Sequence, residues 1–467
     1  MTDLAARAKA LADAGQIAEA VALLKAEQRL DLVLELREAA VAARPASAVA
    51  EHNLAAILGD LGRGADAEAA ARRALGKGGD APETWLVLAR ALLAQNRHEE
   101  AEDAYRHAVR RRPGYVDGVR ELSQLIWMRT EDRTATLAPF GDARVQGAET
   151  PPLAAAWAQA MEYAGAPPEE ILQALRPAAG DPNIAAVCAH AAMSVDLDEA
   201  LMHARTSQTV RPGLASMLKL AEIHLARHEV EPALSLIETV LTAVQEDQNA
   251  LSLKAVAFRL LDSPRAHELY AYDAMVGAYL IDTPEGWPSL EAYLVDLAPA
   301  LRRLHALQTH PVGQSLRHGT QTTAPLTASD DPVIRAFFRA VDRPIRHYIA
   351  ALGHGNDPLR RRITGDYRIA GAWSVQLRPG GFHASHVHPE GWLSSACYID
   401  LPDAIAEGRQ GWIGFGAPPF LPDLRPEYFQ KPEPGMLVLF PSYMWHGTQP
   451  FAGEQPRLTI AFDVVPA

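Results

Sequence analysis

Between Gly380 and Glu390 the chain reads Gly380-Gly381-Phe382-His383-Ala384-Ser385-His386-Val387-His388-Pro389-Glu390, its densest run of groups able to bind metal or move protons. A β-strand repeats every two residues, so His386 and His388 would share a face and reach one ion together. A third imidazole follows in Gly435-Met436-Leu437-Val438-Leu439-Phe440-Pro441-Ser442-Tyr443-Met444-Trp445-His446, where an apolar strand stops at a proline and an isolated His446 comes next. Imidazole serves iron, zinc, copper and nickel alike, so residue type alone does not choose the metal. Eleven residues further on, Arg457-Leu458-Thr459 opens the last apolar run, with Arg457 and Thr459 on one strand face. A guanidinium beside a hydroxyl is suited to grip a carboxylate in two-pronged fashion.

Such residues must be held by a scaffold, and the sequence around them reads as short strands separated by Gly and Pro turns. Tyr367–Leu377, Leu393–Leu401, Gly411–Phe415, Gly435–Phe440 and Arg457–Val465 are expected as strands, after an amphipathic helix over Pro332–Leu352. Many short strands without helices between them point to a barrel or jelly roll. Within it, Arg457 and Thr459 would take the distal carboxylate of 2-oxoglutarate while the keto-acid end of that molecule chelates iron.

The first half has a different texture, rich in Ala, Leu, Glu and Arg with apolar residues at helical spacing. Leu54-Ala55-x-x-Leu58-x-x-x-Gly62-Arg63-x-x-x-Ala67 aligns with Leu88-Ala89-x-x-Leu92-x-x-x-Asn96-Arg97-x-x-x-Ala101 at an offset of 34 residues, and Pro113 closes the second copy. Small residues at Ala55, Ala67 and Ala74 would let paired helices approach closely. Weaker copies run from Ala10 to Leu24, Ile184 to Arg211 and Met217 to Val244, and His190 and His224 within them are expected as interhelical residues. This period and order of helix, turn, helix and proline resembles tetratricopeptide repeats. Gly141, Gly147 and nearby prolines predict an interruption near 130–152. The expected organisation is therefore multidomain, α plus β: an N-terminal tetratricopeptide-like α-solenoid over 1–265, connecting helices over 266–310, and a double-stranded β-helix, or jelly-roll, barrel over 311–467.

Composition narrows the classes. A net charge of −13 and a pI near 5.7 argue against nucleic acid and anionic membranes as partners. The basic run Arg110, Arg111 and Arg112 reads as a solvated helix face. Two distant cysteines, Cys188 and Cys397, make neither a disulfide framework nor a thiolate metal site, which fits a reducing cytoplasm. The opening Met1-Thr2-Asp3-Leu4 lacks the basic and apolar regions of a signal peptide, and no window has the roughly 20 apolar residues that span a bilayer.

The set His386-Val387-His388-Pro389, Leu393-Ser394, Leu439-Phe440-Pro441 through His446, and Arg457-Leu458-Thr459 resembles the 2-oxoglutarate/Fe(II) oxygenases that often carry tetratricopeptide repeats. The resemblance runs from about Gln314 to the C-terminus. It implies a dioxygenase using Fe(II), 2-oxoglutarate and O2, a hydroxylase of a protein or peptide recruited by the repeats. In the more distantly similar prolyl hydroxylases a carboxylate sits two residues after the first metal-binding His, a position held here by His388. Two ligand sets stay open: His386, His388 and His446, or His388, Glu390 and His446. Pro389 should disturb a strand before Glu390, which favours the first. The family's Ser-Gly-Val-Tyr-Tyr strand appears as Ser394-Ser395-Ala396-Cys397-Tyr398, making Tyr398 the residue expected to touch the co-substrate. Two other classes compete. Gly380-x5-His386-x-His388 also fits a cupin that does not use 2-oxoglutarate, and the repeats alone could serve as a scaffold beside a degenerate barrel.

Overall fold

The computed structural model describes residues 2–27 and 29–467, with side chains from Leu4 onward, so Met1 of the opening stretch lies outside the described residues. Two compact units result, one of residues 1–126 with 138–149, the other of 127–137 with 150–467.

The first unit is built of antiparallel helix pairs. Ala48–Asp60 is capped by Ser47, whose hydroxyl accepts from Ala50 N at 3.2 Å, and it packs on Gly64–Gly76; Pro82–Leu93 then packs on His98–Arg111. The 34-residue repeat has a direct conformational signature. Gly62 and Asn96 occupy the same inter-helix turn and both are left-handed, with φ of 74° and 58°. Gly pays no Cβ penalty there, and Asn is among the few side chains that tolerate it. Ala55, Ala67, Ala74, Ala89, Ala101 and Ala108 are all fully buried, as close helix approach requires. The stretch expected to be interrupted is helical, through Val116–Thr130 and Arg133–Val145, and it is where the chain passes from one unit to the other and back.

The second unit begins with further helix pairs from Pro151–Tyr163 to Gln248–Leu260 and continues into the β-domain. Its strands are β1 (Gly277–Leu280), β2 (Leu316–Gln321), β3 (Tyr367–His383), β4 (Leu393–Asp400), β5 (Ile413–Phe415), β6 (Tyr428–Gln430), β7 (Met436–Pro441), β8 (His446–Thr448) and β9 (Arg457–Pro466). They form a six-stranded sheet in the order β1-β7-β4-β9-β3-β2 and a three-stranded sheet in the order β6-β5-β8, every pairing antiparallel. This is a jelly-roll arrangement, and Phe440 of β7 lies between the sheets, 5.0 Å from the ring of Phe415 on β5 and 4.5 Å from that of His446 on β8.

Three local features differ from sequence expectation. The connection 266–310 contributes strand β1, which hydrogen-bonds β7 from Gly277↔Leu439 to Leu280↔Met436. The helix expected over Pro332–Leu352 is two, Pro332–Ala340 and Asp342–Leu352, with Pro344 in the first turn of the second, where its missing N–H costs nothing. His386 and His388 lie beyond the end of β3 in irregular backbone, not on a strand.

No described helix is long and apolar enough to cross a membrane. Both cysteines are buried and unpaired.

Candidate metal centre

The segment after β3 is pinned at two points. His386 exchanges backbone hydrogen bonds with His446, at 3.0 and 3.1 Å, and His388 N donates to Ser442 O at 2.9 Å. Shared face therefore comes from tethering to the ends of β7 and β8, and only indirectly from strand periodicity. Gly447 makes the approach possible: a Cβ there would stand 2.8 Å from His383 O and 3.1 Å from Ser385 N.

His386, His388 and His446 each present a ring nitrogen within 4.8 Å of the others'. The opposite nitrogen of every ring is already committed. His386 Nδ1 lies 2.9 Å from Ala384 O, His446 Nδ1 2.9 Å from Met444 O, and His388 Nδ1 2.7 Å from Asp463 Oδ1. Carbonyl and carboxylate oxygens only accept, so each Nδ1 carries the proton and each Nε2 offers a bare lone pair. His386 Nε2 and His388 Nε2 are 3.1 Å apart with no proton between them. Two nitrogens each about 2.0–2.1 Å from one cation and at right angles would be about 3 Å apart, so the donor set fits a divalent transition-metal ion. Burial, then the neighbouring His388 ring, pushes the pKa of His386 down to about 3, and burial followed by the His386 ring holds His446 well below the usual imidazole value. Neutral imidazoles are the form a metal requires. Glu390, the alternative ligand, is exposed in the turn after Pro389 and outside this cluster, though it borders the same cavity.

That cavity has a volume of about 520 Å3. Arg457 lines it, 2% exposed, and Thr459 lines it beside Arg457. The Arg457 guanidinium forms no ion pair with a described residue and its Nε has no hydrogen-bond partner. Burial lowers its pKa, yet a guanidinium stays protonated, so this is an uncompensated buried cation. Tyr398 does not line the cavity. Its ring lies against Arg457, 5.0 Å from the guanidinium carbon to the ring centre, and its buried hydroxyl also lacks a partner.

Several cavity residues escaped sequence reasoning. Asp463 shares the parity of Arg457, Thr459 and Ala461 on β9, and all four face the cavity; that alternation was the available signal. His383, half-buried with its pKa held well down by desolvation and then by His386, accepts or donates to Ser315 Oγ at 3.0 Å, and Ser315 Oγ is also 3.3 Å from His386 Nε2. Glu162, Tyr163 and His190, from helices Pro151–Tyr163 and Pro182–Ala192, form the outer wall, with Arg317 stacked over Tyr163 at 5.3 Å. His190 does meet a neighbouring helix, through Glu162 at 3.3 Å, but it also faces this opening. Nothing in the local sequence of those helices marks them as its wall.

Residues 371–463 match the family described as "Putative 2OG-Fe(II) oxygenase", and residues 52–116 match the tetratricopeptide repeat. Comparison with curated proteins returns no match. Similar solved structures include a tetratricopeptide repeat protein from Parabacteroides merdae, with 14% identity over 55% of this chain and 98% of that one and a TM-score of 0.36. A viral collagen prolyl hydroxylase from Paramecium bursaria Chlorella virus-1, in complex with 2OG, shares 15% identity over 41% of this chain and 96% of its own, with a TM-score of 0.27. A Pseudomonas putida prolyl-4-hydroxylase shares 16% identity over 43% of this chain and 98% of its own, with a TM-score of 0.29. By its family matches the chain joins a segment that matches the tetratricopeptide repeat to a C-terminal segment that matches the putative 2OG-Fe(II) oxygenase family.

Proposed function

We propose that this protein is an Fe(II)- and 2-oxoglutarate-dependent dioxygenase that hydroxylates a peptide or protein. His386, His388 and His446 hold Fe(II) through Nε2, and Arg457 with Thr459 receives the distal carboxylate of 2-oxoglutarate. The observation that carries the reading is one cavity containing both three bare imidazole nitrogens and a buried guanidinium without a counter-ion. Both deficits are met by a metal and a dicarboxylate. A cupin that ignored 2-oxoglutarate would leave Arg457 uncompensated.

Bound Fe(II) and 2-oxoglutarate supply the oxidising chemistry, in which O2 delivers one oxygen atom to a substrate C–H bond and the keto acid leaves as succinate and CO2. The chain's own groups prepare for it. Ala384 O, Met444 O and Asp463 fix the ring tautomers, and Tyr398 supports the guanidinium from behind with its ring face. Val375, Ile413 and Phe440 give the inner cavity apolar walls that limit water. Support for a polypeptide substrate comes from Glu162, Tyr163 and His190, which make helical repeats part of the cavity wall. The deciding experiment is a crystal soaked with Mn(II) and 2-oxoglutarate, joined to a succinate-release assay. Metal on the three imidazoles with the dicarboxylate on Arg457 is expected; turnover of 2-oxoglutarate by neither wild type nor any metal-loaded form would remove the assignment.

A further inference from the structure

The three imidazoles are not equivalent. His386 and His446 direct Nδ1 at neutral backbone carbonyls, whereas His388 directs Nδ1 at the carboxylate of Asp463, 2.7 Å away. That carboxylate is itself held. Ser394 Oγ donates to the same Oδ1 at 2.9 Å and lies 2.9 Å from Ser442 Oγ, while Ser442 O accepts from His388 N. Register explains the convergence: Asp463 on β9 stands opposite Ser394 on β4 and opposite Gly371 on β3, beside a register shift in the β3 pairing. Gly391 belongs to the same construction, since a Cβ on it would run into Ser442 Oγ and come 3.5 Å from Asp463 Oδ1. Trp373 stacks over His388, 6.2 Å between ring centres and 20° between planes, fixing the ring's remaining freedom.

We propose that Asp463 is a positioning residue which, through His388, gives the centre the negative charge that a directly bound carboxylate would otherwise provide. The inference rests on the metal-binding reading above. Three neutral imidazoles leave a divalent ion fully charged in a cavity that already contains the buried Arg457. Opposite charges interact strongly in such surroundings, so a carboxylate one ring away is worth placing there. With a divalent ion, Arg457, the 2-oxoglutarate dianion and the half-buried Asp463, the set is neutral; without Asp463 it carries one excess positive charge. An acceptor that merely oriented the ring could be a carbonyl, as at His386 and His446.

The test uses the full-length protein and Co(II) alone, titrated with detection by visible ligand-field absorption, beside thermal unfolding of the metal-free protein. Asp463→Asn keeps an oxygen acceptor but removes the charge, and should weaken Co(II) binding by about 10–100-fold and alter the absorption band, with the metal-free unfolding midpoint nearly unchanged. Ser394→Ala frees the carboxylate without removing it and should weaken binding by a few-fold. Asp463→Asn with wild-type Co(II) affinity and spectrum would overturn the proposal. Should Asp463→Asn fail to fold, Ser394→Ala with unaltered affinity and spectrum would overturn it instead. Wild type that binds no Co(II) would bring down both this inference and the metal-centre reading, whereas wild-type binding unmoved in both variants brings down this inference only.

Discussion

Buried charge is treated in opposite ways in the two units. In the N-terminal helices Glu51 is 2% exposed, yet its Oε1 accepts from Arg73 Nε at 3.0 Å and from Lys77 Nζ at 2.7 Å. In the β-domain Arg457 is equally buried and pairs with no carboxylate among the described residues. A buried charge is tolerated when paired and costs folding free energy when it is not. The first pattern knits the two helices of one repeat together. The second is a cost borne by the fold, which a ligand of opposite sign would offset. Within the second unit histidine shows the same contrast between helices and β-domain: His224 pairs with Glu229 at 2.6 Å, while His386, His388 and His446 leave one nitrogen each turned toward the others.

Breaking the metal side of this contrast should have the largest effect. Partners one layer removed from a metal cost about 10–100-fold in affinity, so loss of a ligand should cost about a hundredfold or more. His446→Ala is expected to abolish tight Fe(II) or Co(II) binding and any uncoupled 2-oxoglutarate turnover. Succinate release at the wild-type rate would take His446 out of the centre.

Arg457→Met comes next. Loss of one partner from a buried, hydrogen-bonded charge pair costs about 2–5 kcal/mol, which is at least tenfold in the 2-oxoglutarate concentration needed. Metal affinity should survive. Because the side chain lacks a counter-ion in the ligand-free protein, its removal should leave the ligand-free unfolding midpoint unchanged or higher. A clear fall in that midpoint, with unaltered 2-oxoglutarate affinity, would show Arg457 to be structural like Glu51.

Glu51→Ala is the counterpart in the helical unit and should destabilise it by about 1–3 kcal/mol without changing 2-oxoglutarate turnover. Burial opposes ionisation of Glu51, but Arg73 and Lys77 outweigh it and hold its pKa below the usual carboxylate range. A depressed carboxylate pKa means stability present at neutral pH, beginning to fall as pH drops toward the unfolded-state value and lost once pH passes below the folded one. Urea unfolding of wild type and Glu51→Ala should therefore differ at pH 7 and converge in acid. A pH-independent difference would remove the ion pair as its cause.

The helical unit was readable because one supersecondary piece recurs, so Gly62 and Asn96, or Ala55 and Ala89, report the same position twice. The clustering imidazoles were readable because few residue types can bind metal and His386 and His388 are two residues apart. Asp463 was readable in principle, by its parity with Arg457 and Thr459, although a single acid in an apolar strand belongs to no motif that marks it. Strands β1, β6 and β8 have three or four residues, too few for a period of two to emerge. Glu162, Tyr163 and His190 reach the cavity only through tertiary packing of helices more than a hundred residues upstream of β3, and no local pattern encodes that.

Glu390 gives the smallest expected effect and the sharpest separation of sequence proximity from spatial convergence. It follows His388 by two residues, the spacing of the alternative His-x-Glu ligand set, and it borders the cavity. Yet Pro389 and Glu390 form an exposed turn, and the hydrogen bond from Gly391 N to His388 O, at 3.2 Å, closes that turn so that the carboxylate is carried away from the three imidazoles. The carboxylate that does meet His388 is Asp463, from the far end of the chain. Glu390→Gln should therefore leave Co(II) affinity within about twofold of wild type, because an exposed charge near the rim is screened by water and salt. His386→Ala, by contrast, should lose tight binding. If Glu390→Gln lost the metal while His386→Ala retained it, the ligand set would be His388, Glu390 and His446, and the turn would have to refold on metal binding.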